Sequence, residues 1–260
     1  MAAPLFQLND VTVRRAGKDI LRVPSLVLEE GESLAVLGPN GSGKSTFVNL
    51  LTREALPLFR EDPPVLFRGQ AKPTLADIKA QVGFVSSGMQ AQISVHLPCV
   101  EVVEGGLFGS LGRPMRVPVS PEDTARALAV MEKLGIQDLA QRDVMTLSTG
   151  QARRVLIARA LVHDPSVLVF DEPCTGLDPE GMYHVRRTMS RIAGDGRAVV
   201  LVTHYPEDIV PQIGRALLLK EGRVLADGAK ADVLTSANLS ELFGVPLTIH
   251  EHAGTYHLFT

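Results

Sequence analysis

The nine residues GPNGSGKST, at positions 38–46, decide the fold of this chain. They match the pattern G-x-x-x-x-G-K-[ST] in full, and that pattern carries meaning where a strand precedes it and a helix follows. Residues 33–37 are strand-like, and Phe47, Leu50 and Leu51 recur at the spacing of an amphipathic helix. The stretch therefore predicts a phosphate-binding loop rather than a glycine-rich loop without a ligand.

The residue types in this loop indicate its chemistry. Glycines let successive backbone N–H groups face phosphate oxygens, and the N-terminus of the following helix adds a favourable partial charge. Lys44 is expected to neutralise the β- and γ-phosphates, and Ser45 to ligate Mg²⁺. The predicted nucleotide-binding set is Gly38, Pro39, Asn40, Gly41, Ser42, Gly43, Lys44, Ser45 and Thr46. The loop by itself does not separate ATPases, GTPases and small kinases.

A second candidate site follows the apolar run at residues 167–170, which ends in Asp171 and Glu172. In parallel sheets, ligands bind at the carboxyl ends of strands. Asp171 is expected to hold the water shell of Mg²⁺, and Glu172 to orient or deprotonate the attacking water. The guanine-reading pattern N-K-x-D is absent from the sequence, so ATP with Mg²⁺ is the expected ligand pair.

Composition narrows the class of protein. The 260 residues carry a net charge of −3, with 26 basic and 29 acidic side chains, so no nucleic-acid partner is expected. Cys99 and Cys174 form neither a metal-ligand spacing nor a disulfide framework, and we expect both to be small buried fillers. The N-terminus lacks a signal-peptide pattern, and no apolar run approaches the roughly 20 residues of a membrane span. A cytoplasmic protein is expected.

Strands alternate with helices along most of the chain, which favours a mostly parallel α/β sheet. Strand-like runs are expected in the first 37 residues, an irregular surface excursion at 55–75, and a final hairpin near 217–225. From residue 90 to 162 the pattern becomes helical, with an N-cap at Ser120 followed by Pro121. We expect one domain, with a core formed by 1–89 and 163–260 and an inserted helical subdomain at 90–162.

Residues 147–151 read Leu-Ser-Thr-Gly-Gln, and here the sequence resembles the ATP-binding cassette (ABC) family. The family signature is L-S-G-G-Q, from which this chain departs by Thr149. Taken alone, Ser148 and Gln151 would be a capping box at the start of a helix. The order of motifs, however, is the family's: phosphate loop, signature, then the Asp-Glu strand. The predicted signature residues are Ser148, Thr149, Gly150 and Gln151.

Two further elements strengthen the resemblance. Residues 175–178, Thr-Gly-Leu-Asp, resemble the family's D-loop, and His204 is similar to its switch histidine, which would sense the γ-phosphate. The resemblance implies a P-loop NTPase fold with a RecA-like core, an N-terminal antiparallel β region and the helical subdomain. It also implies that the signature of one cassette completes the ATP site of another, so the chain should pair with itself or with a close relative.

The resemblance further implies ATP hydrolysis that drives a separate integral membrane permease, with the chain at the inner face of the cell membrane. Residues 99–107 resemble a helix of metal-chelate importers, and residues 239–245 are similar to the C-termini of importer cassettes for iron chelates and cobalamin. Residues 85–87 and the Arg-Arg pair at 14–15 resemble a molybdenum-transport-related branch. The expected function is import of a metal or metal chelate, with a substrate-binding protein as a further partner.

The chain departs from the family pattern at two places. Arg15 stands where an aromatic residue usually stacks on adenine, and a guanidinium can stack similarly; a solvated surface arginine is the alternative. Ser87 stands where glutamine usually reaches Mg²⁺. We predict that Gln90 supplies that group, with Ser87 as the fallback; a solvated position for Gln90 is the alternative.

Other functions stay open at this point. A soluble ABC ATPase that transports nothing, acting as a regulator or in nucleic-acid maintenance, is the main alternative. A small-molecule kinase would share the phosphate loop but has no need of the signature at 147–151.

Overall fold

Strands and helices alternate through most of the chain, as the sequence predicts. The computed structural model describes residues 3–260. The strands are β1 (Phe6–Arg15), β2 (Lys18–Leu28), β3 (Leu34–Leu37), β4 (Val65–Phe67), β5 (Val82–Ser86), β6 (Val167–Asp171), β7 (Ala198–Thr203), β8 (Arg215–Lys220), β9 (Arg223–Ala229), β10 (Thr248–His252) and β11 (Thr255–Phe259). The helices are α1 (Lys44–Leu51), α2 (Leu75–Gln81), α3 (Cys99–Gly105), α4 (Pro121–Lys133), α5 (Thr149–Leu161), α6 (Pro179–Gly194), α7 (Lys230–Val233) and α8 (Ser236–Phe243).

The described residues up to Ile78 and those of Ser190–Thr260 form one unit around a mixed sheet. Its strands lie in the order β4-β1-β2-β9-β8-β3-β7. Strand β3 is parallel to both β7 and β8, whereas β1 pairs antiparallel with β2 and with β4. All four residues of β3 are buried, as are all six of β7, which is typical of central parallel strands. The predicted antiparallel region at the N-terminus is therefore present.

Two expectations about this unit need correction. The predicted hairpin near 217–225 exists as β8 and β9, but it is not the last one, because β10 and β11 pair after it. Strand β10 reads TIHEH and is largely exposed, so no buried apolar alternation marks it in the sequence. The excursion at 55–75 also contains β4, whose three residues are too few to show a period.

The second unit, Lys79–Met189, contains strands β5 and β6 and helices α3, α4 and α5. The predicted helical segment 90–162 lies inside this unit, which extends beyond it on both sides. Ser120 caps α4 as predicted, and Asp123 completes a reciprocal capping box with it. Cys99 and Cys174 are both buried, and burial raises the pKa of the Cys99 thiol to about 11.

Strands β5 and β6 run parallel, with Ser86 level with Asp171. Residues that follow these two positions therefore leave the strands at the same edge. Among the described residues, no helix is long and apolar enough to cross a membrane.

Candidate functional site

The phosphate loop connects the end of β3 at Leu37 to the start of α1 at Lys44. Gly41 and Gly43 adopt φ angles of +78° and +103°, which side chains of L-residues rarely accept. At Gly38 the constraint is close approach, because a Cβ there would lie 2.3 Å from the carbonyl oxygen of Leu219. The three glycines of the motif are thus required by the backbone path.

The interior of the loop offers donors suited to an anion. Lys44 is buried, and its Nζ donates to the carbonyl oxygens of Gly38 at 2.7 Å and Pro39 at 3.0 Å. The Ser42 hydroxyl is buried and finds no hydrogen-bond partner among the described residues. Helix α1 has no side-chain cap and no acidic residue in its first turn, so its N-terminal partial charge is not offset locally. The loop therefore fits a phosphate group.

The remaining loop residues differ in exposure. Ser45 and Asn40 are exposed, whereas Pro39 and Thr46 are half-buried. The hairpin of β1 and β2 lies beside the loop. The Gly222 N–H donates to the Ser42 carbonyl at 3.0 Å, and the Gly222 carbonyl accepts from Arg22 N–H at 2.6 Å.

His204 follows β7 in the same unit. Leu37 of β3 is level with Thr203 of β7, so Gly38 and His204 leave neighbouring parallel strands at the same edge of the sheet. The Thr203 hydroxyl donates to the Asp208 carboxylate at 2.9 Å and accepts from the Tyr205 N–H at 3.1 Å. These two bonds fix the turn that carries the half-buried His204 at the sheet edge where the phosphate loop begins.

Arg15 is the last residue of β1, lies at the tip of the β1–β2 hairpin and is exposed. Its neighbour Arg14 forms an ion pair with Asp19, with Nε 2.5 Å from the carboxylate. Hydrogen bonds from Arg14 and Arg22 lower the pKa of Asp19 to about 2. The two adjacent arginines thus have different surroundings, and stacking of Arg15 on adenine stays a prediction.

In the second unit, Asp171 is the last residue of β6 and Glu172 follows it. Glu172 has a φ of +50°, in the left-handed region that disfavours its side chain. Its carbonyl accepts from the Thr175 N–H at 3.2 Å, and its carboxylate accepts from the Thr175 hydroxyl at 3.4 Å. Both carboxylates emerge at the edge where Ser87 follows β5.

The signature residues open helix α5. The Ser148 hydroxyl accepts from the Gln151 N–H at 3.3 Å, and the Gln151 side chain accepts from the Ser148 N–H at 3.2 Å, as the predicted capping box requires. Gly150 packs closely, because a Cβ there would lie 3.0 Å from Cα of Gly181. The departure at Thr149 falls on an exposed position, where a larger side chain has room.

Ser87 and Gln90 lie on a 3₁₀ turn, Ser87–Gln92, that continues from β5. Both are half-buried, and they line a cavity of about 610 Å³ together with Thr149, Arg153 and Thr175. The fold thus brings the Ser87 segment, the signature helix and the turn after Glu172 to one cavity. Gln90 is half-buried, and its approach to Mg²⁺ remains a prediction.

Arg153 belongs to this group, although sequence reasoning missed it. It is 1% exposed, and burial lowers the pKa of its guanidinium. The pair Arg153-Arg154 reads as the basic face of a helix, and the detectable signal was its position among the apolar residues of α5, two residues after the signature.

The chain is similar to known proteins along most of its length. The model of the family described as "ABC transporter" matches residues 21–175, more than half of the chain. An ABC transporter ATP-binding protein of Bacillus subtilis is 34% identical, covering 94% of this chain and 93% of that protein. The hemin import ATP-binding protein of Bordetella avium is 34% identical, covering 96% and 97%. The molybdenum import ATP-binding protein of Mycobacterium tuberculosis is 37% identical, covering 79% of this chain but 56% of that protein.

Solved structures share the fold. A metal-chelate type ABC transporter in an inward-facing conformation superposes with a TM-score of 0.80 at 23% identity, covering 98% of this chain and 96% of that one. A Clostridium perfringens protein, described as part of an ABC transporter complex, superposes with a TM-score of 0.76 at 25% identity, covering 92% and 94%. The α/β fold with a P-loop, predicted from the sequence, is confirmed.

Proposed function

The chain belongs to the ABC transporter family of ATP-hydrolysing cassettes, and we propose that it powers an importer that moves a metal or metal chelate through a separate membrane permease. The observation that carries this proposal is the match to the hemin import protein over nearly the full length of both chains. The molybdenum import relative supports the same substrate class through its cassette region. Membership of the family makes the chain an ATPase.

We assign the phosphate contacts to the loop at 38–46. Its backbone N–H groups and Lys44 would bind the β- and γ-phosphates, with the Lys44 ammonium exchanging its bonds to the Gly38 and Pro39 carbonyls for bonds to phosphate. His204, which leaves the neighbouring strand at the same edge, would contact the γ-phosphate. Arg15 would lie over the adenine.

Glu172 is the proposed general base, since a carboxylate at a strand end can accept a proton from the attacking water. The exposed Ser45 hydroxyl and Asp171 would hold Mg²⁺, with Gln90 joining them. When bound, Mg²⁺ would neutralise charge that develops on the phosphate oxygens. The described residues contain no group of three or more His, Cys, Asp and Glu side chains able to hold a metal ion. Mg²⁺ is commonly bound through one or two carboxylates together with substrate phosphates and water, which suits a site with Asp171 as its single carboxylate.

We propose that two copies face each other across two ATP molecules. Ser148 and Thr149 are exposed at the N-terminus of α5, where free N–H groups and the helix dipole favour an anion. The signature of one copy would therefore reach the γ-phosphate held by its partner. The further partners would be a permease at the inner face of the cell membrane and a substrate-binding protein.

The experiment is recovery of the tagged chain from detergent-solubilised membranes of the cells that encode it. Glu172→Gln, which should retain ATP, serves as the nucleotide-held form, and Lys44→Ala serves as the form with weakened binding. We expect a polytopic membrane protein in stoichiometric amount, together with loss of metal accumulation, measured by mass spectrometry, in cells carrying Glu172→Gln. Recovery from the soluble fraction without a membrane protein in either form would favour a non-transport ATPase.

A further inference from the structure

Arg153 carries a buried charge that the roles assigned above do not use. Its Nη1 donates to the Pro173 carbonyl at 3.0 Å and reaches the Glu172 carbonyl at 3.5 Å, and its Nη2 reaches the Ser87 carbonyl at 3.5 Å. Its Nε is buried with no hydrogen-bond partner among the described residues. The guanidinium therefore spans two segments, the one that follows β5 and the one that follows β6.

Burial of this cation is costly for the fold. A buried charge is usually compensated by an opposite charge, whereas the hydrogen bonds recorded for Arg153 go to main-chain carbonyl oxygens. An apolar side chain of similar length would fill the same space without that desolvation. An apolar side chain could not bind carbonyl oxygens, whereas the planar guanidinium binds carbonyls of two separate segments and fixes their relative position.

The two segments that Arg153 joins contain Ser87 and the proposed general base, Glu172. Ser86 and Asp171 are level in the β5–β6 pair, so Ser87 and Glu172 are the first residues beyond the paired strands. Glu172 holds a left-handed backbone conformation, with Thr175 bonded to its carbonyl and carboxylate. Because the carboxylate position depends on that backbone angle, contacts at the Glu172 and Pro173 carbonyls affect where the proton acceptor lies.

We propose that Arg153 is a positioning residue that fixes the Glu172–Pro173 turn against the Ser87 segment, and so aligns the Glu172 carboxylate for ATP hydrolysis. Arg153 lies one turn into α5, the helix that the signature opens, so displacement of that helix would be transmitted to the base. This inference rests on the proposed role of Glu172 as the general base.

Arg154 provides a matched control on the same helix. Its Nη2 also donates to two carbonyl oxygens, those of Leu134 and Gly135 at 3.0 Å each, and its Nε is likewise buried and unpartnered among the described residues. These bonds hold the end of α4, away from Glu172 in the sequence. A substitution at Arg154 therefore removes the same kind of bonds without touching the proposed base.

The test compares Arg153→Met with Arg154→Met in the purified full chain at saturating Mg-ATP. Misplacing a catalytic group by about 1 Å can cost roughly 100-fold in rate, so Arg153→Met should lower kcat about 10- to 100-fold while the KM for ATP changes less than about threefold. Arg154→Met should keep kcat within about threefold even if its melting temperature falls. If Arg153→Met does not fold, Arg153→Lys, which keeps the charge but loses the fork, should show a smaller fall in kcat of the same kind.

A double substitution shows whether Arg153 acts through Glu172. In the Glu172→Gln background, Arg153→Met should lower the residual kcat less than about threefold, since residues that act as a unit are not additive. A multiplicative loss, or equal kcat values for Arg153→Met and Arg154→Met, would overturn the inference. Hydrolysis at the wild-type rate by Glu172→Gln alone would instead contradict the proposed function, so the two failures are distinguishable.

Discussion

Glycine usually destabilises a folded protein relative to alanine. At position 172 we expect the opposite, with Glu172→Gly more stable than Glu172→Ala. Glu172 has a φ of +50°, in the left-handed region. An L-residue pays roughly 1–2 kcal/mol for that conformation, whereas glycine does not. Glycine in turn loses about 0.5–1 kcal/mol more conformational entropy on folding than alanine does. The difference between these two ranges is about 0–1.5 kcal/mol, so Glu172→Gly should be more stable than Glu172→Ala by about 0.75 kcal/mol, the middle of that range.

The comparison isolates the backbone because both variants remove the same carboxylate and its 3.4 Å contact with the Thr175 hydroxyl. Urea denaturation followed by circular dichroism measures the difference in unfolding free energy, and the two m-values should agree. Both variants should also lose nearly all ATP hydrolysis. An alanine variant that is more stable than the glycine variant would refute the conclusion that the proposed base lies in a strained backbone conformation.

Three further predictions concern nucleotide contacts. Lys44→Ala should weaken ATP binding itself, measured by titration of a fluorescent ATP analogue, because phosphate charge is left uncompensated; unchanged affinity would contradict the assignment. Arg15→Ala should raise the ATP dissociation constant severalfold, since stacking contributes about 0.5–2 kcal/mol, whereas Arg14→Ala should not; equal affinities would favour a solvated Arg15. Gln90→Ala should lower turnover at saturating ATP more than Ser87→Ala does, and unchanged rates in both variants would exclude this segment from the metal site.

Much of the fold could be predicted because long-range order follows from strong local patterns. The phosphate loop fixes a strand before it and a helix after it, and both lie where the sequence indicates them, at β3 and α1. The N-cap at Ser120 and the capping box at Ser148 could be recognised because each depends on residues that are close together in the sequence. Elements that lack such patterns were missed: β4 has three residues, and β10 is exposed along most of its length.

The site was predictable as a set of motifs but not as a set of contacts. The position of Arg153 among the apolar residues of α5 is a weak signal, because a basic residue beside Arg154 is also typical of a solvated helix face. The partners of Arg153 are the main-chain carbonyls of Ser87, Glu172 and Pro173. Every residue has a main-chain carbonyl, so the sequence does not indicate which of them a side chain will contact. The left-handed angle at Glu172 is hidden for a similar reason, since it occurs at a residue other than glycine.

The central claim is that this chain hydrolyses ATP in a two-copy sandwich with Glu172 as the base, and Glu172→Gln tests it most directly. The substitution keeps the shape of the side chain but removes proton acceptance, so ATP should bind while hydrolysis falls about 10²- to 10⁴-fold. Size-exclusion chromatography with Mg-ATP should then show a stable dimer that retains ATP. A variant that hydrolyses ATP at the wild-type rate, or that stays monomeric with Mg-ATP bound, would contradict the claim.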